Sequence, residues 1–131
     1  MKTNAHKIFA IAAIWMFATF SWAQAPVDFF KSVGDGNYAA VASAMAEDVD
    51  VTILDDVQFV SGQQAANLLK NFVQGIGLKK IEALHNGSSS KNVSAYKLAK
   101  LTSAQGSYRL FVYTESSGGK SWVKEIRVEK F

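Results

Sequence analysis

The sequence has no cysteine and a single proline, Pro26, in 131 residues. Without cysteine there is no disulfide, no thiol nucleophile, no thiolate metal ligand and no lipid-modified cysteine behind a leader. Histidine is scarce as well, with only His6 and His85. A lone imidazole and no H-x-x-x-H spacing cannot build a structural zinc site. Neither G-x-S-x-G, a phosphate loop nor a dinucleotide fingerprint occurs. Asp50, Thr52, Asp55 and Asp56 make an acidic patch at a strand end. Calcium would need about six to eight oxygen ligands from a defined loop, and the patch offers no such loop. The composition therefore calls for no metal and no cofactor.

The chain opens on the pattern of a cleavable secretory leader. Lys2, His6 and Lys7 form a basic start, Ile8 to Phe20 is uncharged and apolar, and Ser21-Trp22-Ala23 supplies small residues at the −3 and −1 positions before a cut. Cleavage after Ala23 would leave Gln24 as the new N-terminus. A cut after Ala25 would put Pro26 directly behind the scissile bond. Ile8 to Ala23 is shorter than the roughly 20 apolar residues that span a bilayer. Residues 1–23 thus read as a signal peptide, and residues 24–131 as one exported domain, periplasmic or secreted, with no stable membrane anchor.

Loss of the leader also removes most of the excess charge. Taking Lys2 and Lys7 from 14 basic residues leaves 12 against 11 acidic ones. A nucleic-acid partner wants basic residues clustered on one face. Only short pairs such as Lys79-Lys80 are present, which argues against nucleic acid. An exported chain without disulfides must be held by its core, and 108 residues are enough for that.

Helical periodicity fills the first half. Pro26 suits a first helical position, Val27, Phe30 and Val33 recur every three residues, and Gly34 is a natural stop. Asn37 is a good N-cap for a second helix with an apolar face of Tyr38, Val41, Ala42 and Met45. Val49, Val51 and Ile53 then alternate with Asp50 and Thr52 as a strand. Asp55-Asp56 reads as a turn into a short partner strand, Val57 to Val60. Ser61 with Gln64 forms a capping box before a third helix that buries Ala65, Leu68, Leu69, Phe72 and Ile76. Four strands follow, Lys79 to Asn86, Val93 to Thr102, Ser107 to Glu115 and Lys120 to Phe131, separated by Gly- and Ser-rich turns. Helices first and antiparallel strands after predict an α+β domain with the helices on one face of the sheet.

Strand alternation sorts the candidate residues. In Ser107–Glu115, Tyr108, Leu110, Val112 and Thr114 point one way, and Arg109, Phe111 and Tyr113 the other. Lys120–Phe131 puts Val123, Glu125, Arg127 and Glu129 on one face. Arg109 and Arg127 can then pair with Glu115, Glu125 or Glu129 across strands, or leave two guanidinium forks for an anion. Phe111 and Tyr113 among those charges describe an interface better than open surface, with a homodimer through the sheet as one form of it. His85, before Asn86-Gly87-Ser88-Ser89, is either a turn tie or a general base. Asp50 beside Tyr96 or Tyr108 is the other acid–base pairing to test. Gln58-Phe59-Val60-Ser61-Gly62 matches the Q-x-V-x-G pattern of cystatin inhibitors, yet it runs straight into a helix cap instead of forming a hairpin wedge.

Element order, with Val51-Thr52-Ile53-Leu54, His85-Asn86-Gly87-Ser88-Ser89, Gly106-Ser107-Tyr108-Arg109-Leu110-Phe111 and Ile126-Arg127-Val128-Glu129, resembles a domain-of-unknown-function group of small exported Bacteroidota-type proteins. The wider resemblance is to the nuclear transport factor 2-like, or cystatin-like, cone. It implies three N-terminal helices packed on a curved antiparallel sheet, with a pocket between the layers. The superfamily includes ketosteroid-isomerase-like enzymes and non-catalytic modules, and fold alone does not choose between them. The tyrosine–aspartate–aspartate set of the isomerases does not map onto this chain. The expectation is a non-catalytic binding or interaction module for a small apolar ligand or a protein. The alternative is a cofactor-independent isomerase or dehydratase with Asp50 or His85 as base and Tyr96 or Tyr108 as electrophile.

Overall fold

Local chemistry sets the ends of each element. The computed structural model describes residues 28–89, 91 and 93–131. The leader, Pro26 and Val27 lie outside the described residues. Helix α1 spans Phe29–Asp35, and its start is fixed by Asp28, whose carboxylate accepts from the Lys31 N–H at 3.2 Å. The helix runs through Gly34 and stops at Gly36, which takes a left-handed φ of 75° and donates back to the carbonyls of Ser32 and Val33. Gly34 is thus not the stop that the sequence suggested. α2, Tyr38–Ala44, is capped by Asn37 and buries Val41 and Ala44. Met45 already has extended backbone and begins strand β1, Met45–Ile53.

β1 turns through Leu54 and Asp55 into β2, Asp56–Ser61, with Ile53 opposite Asp56. Leu54 sits at φ 57°, a conformation that costs a residue with a Cβ roughly 1–2 kcal/mol. Its N–H donates to the Val128 carbonyl at 2.8 Å, which holds the turn against the sheet. The forward half of the Ser61 capping box is formed, with the Gln64 N–H donating to Ser61 Oγ at 3.2 Å. α3, Gly62–Ile76, buries Ala65, Ala66, Leu69, Val73 and Ile76, and Gly77 ends it. Leu68 and Phe72, expected on the buried face, are only half-buried, and Val73 takes the deeper position.

Strands β3 (Leu78–Ser88), β4 (Ser94–Ser103), β5 (Gly106–Ser117) and β6 (Lys120–Lys130) complete a six-stranded sheet in the order β2-β1-β6-β5-β4-β3. The β1–β6 pair is parallel and the other neighbours are antiparallel, so the sheet is mixed. A parallel neighbour needs a long crossover, and everything between Asp56 and Ser117 supplies it. Extra residues interrupt the ladders at Lys79 and Leu84, at Lys124 and along β1 between Met45 and Asp50. Such bulges bend a strand and increase its twist.

The helices cover one face only. Between them and the sheet lie Val41, Val49, Val51, Leu69, Leu110 and Ile126, each with at most 1% of its surface exposed. The middle of the interlayer space is therefore hydrocarbon, and the pocket implied by the cone is not central. Among the described residues no helix is long and apolar enough to cross a membrane.

One polar atom in this packing has no partner. The Tyr38 hydroxyl oxygen is buried without a hydrogen bond, and burial raises the phenol pKa above its ordinary value. An orphaned hydroxyl costs more than its removal, so Tyr38→Phe should raise stability by about 1 kcal/mol. Because the folded pKa is the higher one, stability is intact below the unfolded pKa of about 10 and falls as pH rises through the folded value. Tyr38→Phe should remove that share of the alkaline loss, read from urea melts between neutral pH and about pH 11.

Candidate functional site: a cleft at the β1–β6 seam

The seam between β1 and β6 is interrupted where the helices meet the end of the sheet. Asp50–Ile53 pair in register with Glu125–Val128, and Met45 next meets Val123. Between those contacts β1 runs through residues 46–49, whereas β6 passes only Lys124. Lys124 is also the extra residue against β5, where Tyr113 faces Glu125 and Thr114 faces Val123. The inserted lysine breaks the β5–β6 ladder at the same level where extra residues on β1 break the β1–β6 ladder. The chain there bows apart, as bulged strands do.

A cleft of about 660 Å³ opens at this break, where α2 and the start of α3 meet the strand ends. Ala42, Met45, Ala46 and Trp122 line it with hydrocarbon; Glu47, Gln63, Glu115 and Lys124 line it with polar groups. Trp122 is half-buried against the core, and the Lys120 ammonium stands 4.1 Å from the centre of its ring. The same ammonium donates to the Ser43 carbonyl at 3.2 Å, tying the start of β6 to the end of α2. Gly62 lets the first turn of α3 close on β1: a Cβ there would lie 2.5 Å from the Ala46 carbonyl oxygen. A smaller concavity of about 340 Å³ involves the outward residues Asp50, Phe59, Tyr113 and Glu125. Glu115 and Lys124 border both hollows. Glu115 Oε2 accepts from the Tyr113 hydroxyl at 3.0 Å.

The residues weighed for acid–base chemistry are scattered. Asp50 is exposed on the outward face of β1, between Phe59 and Glu125. Tyr96 is on β4, three strand spacings or roughly 14 Å away. Tyr108 points inward, buried, with its ring edge-on to Phe72 at 5.2 Å. The proposed pairing of Asp50 with either tyrosine is not formed, because two intervening strands separate it from Tyr96 and the sheet itself separates it from Tyr108. His85 is exposed on the edge strand β3, its ring 5.7 Å from that of Tyr96. None of the four lines the seam cleft.

Arg109, Phe111, Tyr113 and Arg127 do come together, on the outward face. Arg109 Nη1 bonds Glu129 Oε1 at 3.0 Å, and Arg127 Nη2 bonds Glu125 Oε2 at 2.6 Å. The Arg127 guanidinium lies 5.3 Å from the Phe111 ring, which stacks on Tyr96 at 6.0 Å. Both guanidinium forks are thus engaged by glutamates, which leaves no anion site built from two free arginines. Val123, grouped with these charges by simple alternation, is buried instead, because the Lys124 bulge turns it inward. Gln58–Gly62 straddles the end of β2 and the first residue of α3, so the cystatin-like pattern makes no hairpin wedge.

Sequence reasoning missed Trp122, Lys124 and Met45 as site residues. One signal was available. Val123 and Ile126 are apolar three apart in a strand, where an unbroken strand would space them by two.

Three helices on one face of this sheet, with an opening at its end, define an α+β domain of the nuclear transport factor 2-like type. The chain belongs to the family described as Domain of unknown function (DUF4783), whose model matches residues 27–129. A DUF4783 family protein from Bacteroides ovatus has a similar structure, with a TM-score of 0.74 at 16% identity, covering 82% of this chain and 96% of that one. Another from Bacteroides fragilis has a TM-score of 0.72 at 23% identity, covering 82% of this chain and 100% of that one. A designed protein of the nuclear transport factor 2 type matches with a TM-score of 0.63 at 12% identity, covering 76% and 89%. Identities this low speak for the fold alone. No curated protein matches the chain.

Proposed function

We propose that this protein is an exported, non-catalytic binding module that holds a small ligand with an apolar body in the β1–β6 cleft. The observation that carries this reading is the cleft itself. Its volume of about 660 Å³ falls among small-molecule sites, and it pairs an apolar wall with a few polar groups. Met45 and Trp122 would take the apolar body, and Glu47, Gln63 or Lys124 the polar end. Export rests on the basic and apolar leader and its small residues before Gln24. The acid–base alternative is weaker because neither Asp50 nor His85 lines the cleft: Asp50 lies in the neighbouring outward hollow and His85 on the far edge strand.

A chain starting at Gln24 has Trp122 as its single tryptophan, and that indole lines the cleft. Titration with the uncharged probe N-phenyl-1-naphthylamine should quench its emission saturably, at one probe per chain. Ala42→Leu puts a larger side chain into the same space and should weaken the probe about tenfold, a loss of about 1.4 kcal/mol. Unchanged emission in the parent chain, or equal affinity in Ala42→Leu, would count against the cleft.

A further inference from the structure

The two edges of the sheet are built differently. β3 carries Lys79 and Lys80, and extra residues at Lys79 and Leu84 interrupt its ladder. Lysines and bulges keep an edge strand from recruiting another chain. β2 has neither. Its register with β1 runs unbroken from Asp48 opposite Ser61 to Ile53 opposite Asp56, and it contains no proline. Among the described residues nothing pairs with its outer side. The Leu54 N–H donates to β6, so alternation turns the peptide groups of Ile53, Val51 and Val49 toward β2. Their partners Asp56, Gln58 and Val60 are engaged there, and the N–H and C=O groups of Val57 and Phe59 face the open edge. The side chains of the same two residues are 71% and 68% exposed.

The charge around this edge has one sign. From Ser32 to Leu69 the chain carries six carboxylates, Asp35, Glu47, Asp48, Asp50, Asp55 and Asp56, and no lysine, arginine or histidine. All but Asp35 lie on β1, on β2 or in the turn between them. None of those on the strands or turn joins an ion pair among the described residues. Two such edges side by side would set their carboxylates against each other, which disfavours a second copy of this chain. We propose that an extended, basic segment of another protein adds to β2 as a further strand of the sheet.

Main-chain hydrogen bonds to Val57 and Phe59 supply the pairing, and alternate side chains of the added strand supply the selection. Residues on its outward side lie beside Val57 and Phe59, with Thr52 and Asp50 one strand further in. A lysine or arginine next to Phe59 crosses that ring toward Asp50, so a cation meets a π face and then a carboxylate. Asp50 and Phe59 border the same outward hollow, together with Asp48. On the other side of the added strand, small apolar residues lie beside Gln58 and Val60, and Val60 already packs on the core. The segment this edge fits therefore alternates basic and apolar residues.

No residue of β2 lines the seam cleft, so the proposal stands or falls independently of ligand binding. Fluorescence anisotropy with the chain from Gln24 tests it, using a labelled, end-blocked peptide that alternates lysine and valine. The expected result is saturable binding, at least about tenfold tighter than that of the same peptide with glutamate for lysine. Two further peptides carry N-methyl groups on every lysine or on every valine, which blocks one edge of the strand or the other. One of them should lose binding about tenfold or more while the other keeps it. Val57→Pro removes an N–H that faces the open edge, so the fold should survive in thermal melts while binding falls; Val57→Ala should bind as the parent does. Equal affinity for the two methylated peptides would overturn the proposal, because attraction between charges alone does not distinguish them. So would a parent chain that ignores the lysine peptide, or one that self-associates through this edge and loses that association in Val57→Pro.

Discussion

Leu110→Ala is expected to lower the unfolding free energy by about 2–5 kcal/mol, the largest effect of any single substitution considered. Leu110 lies on β5 with none of its surface exposed, facing Ala99 on β4 and Val128 on β6. Ala99 is already small, so that neighbour has no side chain with which to refill the space. The cost then combines lost transfer energy with an unrelaxed cavity, and cavities of this kind add about 24 cal/mol per Å³. Chemical denaturation at constant slope measures it. A loss under about 1 kcal/mol would mean that the interlayer space is looser than the packing indicates.

Gly62→Ala is the second. Alanine in place of glycine in a helix ordinarily gains about 0.5–1 kcal/mol, because the unfolded chain loses freedom. Here the sign reverses. The new Cβ would sit 2.5 Å from the Ala46 carbonyl oxygen and 2.9 Å from Met45 Cβ, and the nearer atom belongs to the backbone of β1. Relief requires α3 and β1 to move apart, at an overpacking cost of about 1–3 kcal/mol. Gly75, in the same helix, has nothing within 4 Å of the equivalent Cβ position. Gly75→Ala should therefore stabilise where Gly62→Ala destabilises, and thermal melts of the pair give the comparison. Equal and favourable shifts would show that α3 does not press on β1 at its first turn.

Much of the architecture is legible in the sequence because local signals and burial agree. Asn37 and Ser61 cap the helices they were expected to cap, and all six strands fall in the places that alternation marks. Boundaries drift where a tertiary partner outweighs local preference. Gly34 lies inside α1, and the apolar periodicity that carried α2 on to Met45 is overridden when that residue pairs with Val123 on β6. The parallel β1–β6 pairing is a property of chain ends far apart in sequence, which no local pattern records.

The candidate site was harder to read for a related reason. Alternation places residues on a face only while the ladder is unbroken, and one extra residue shifts every side chain beyond it. Arg109, Phe111, Tyr113 and Arg127 lie where their ladder is regular, and they were grouped correctly on one face. Trp122 and Val123 lie beyond the Lys124 bulge, and simple alternation misplaced Val123. The cleft exists because of that same bulge, so the feature that makes the site also hides it. Asp50 and His85 drew attention through their chemistry, yet their strands carry them to the exposed side.

Native mass spectrometry of the protein recovered from the exported fraction, without denaturation, bears most directly on the proposed role. A chain beginning at Gln24 should carry one small molecule, and Ala42→Leu from the same cells should carry far less. Bare polypeptide in both samples, at the mass of residues 24–131, would contradict the assignment of the β1–β6 cleft as a ligand site.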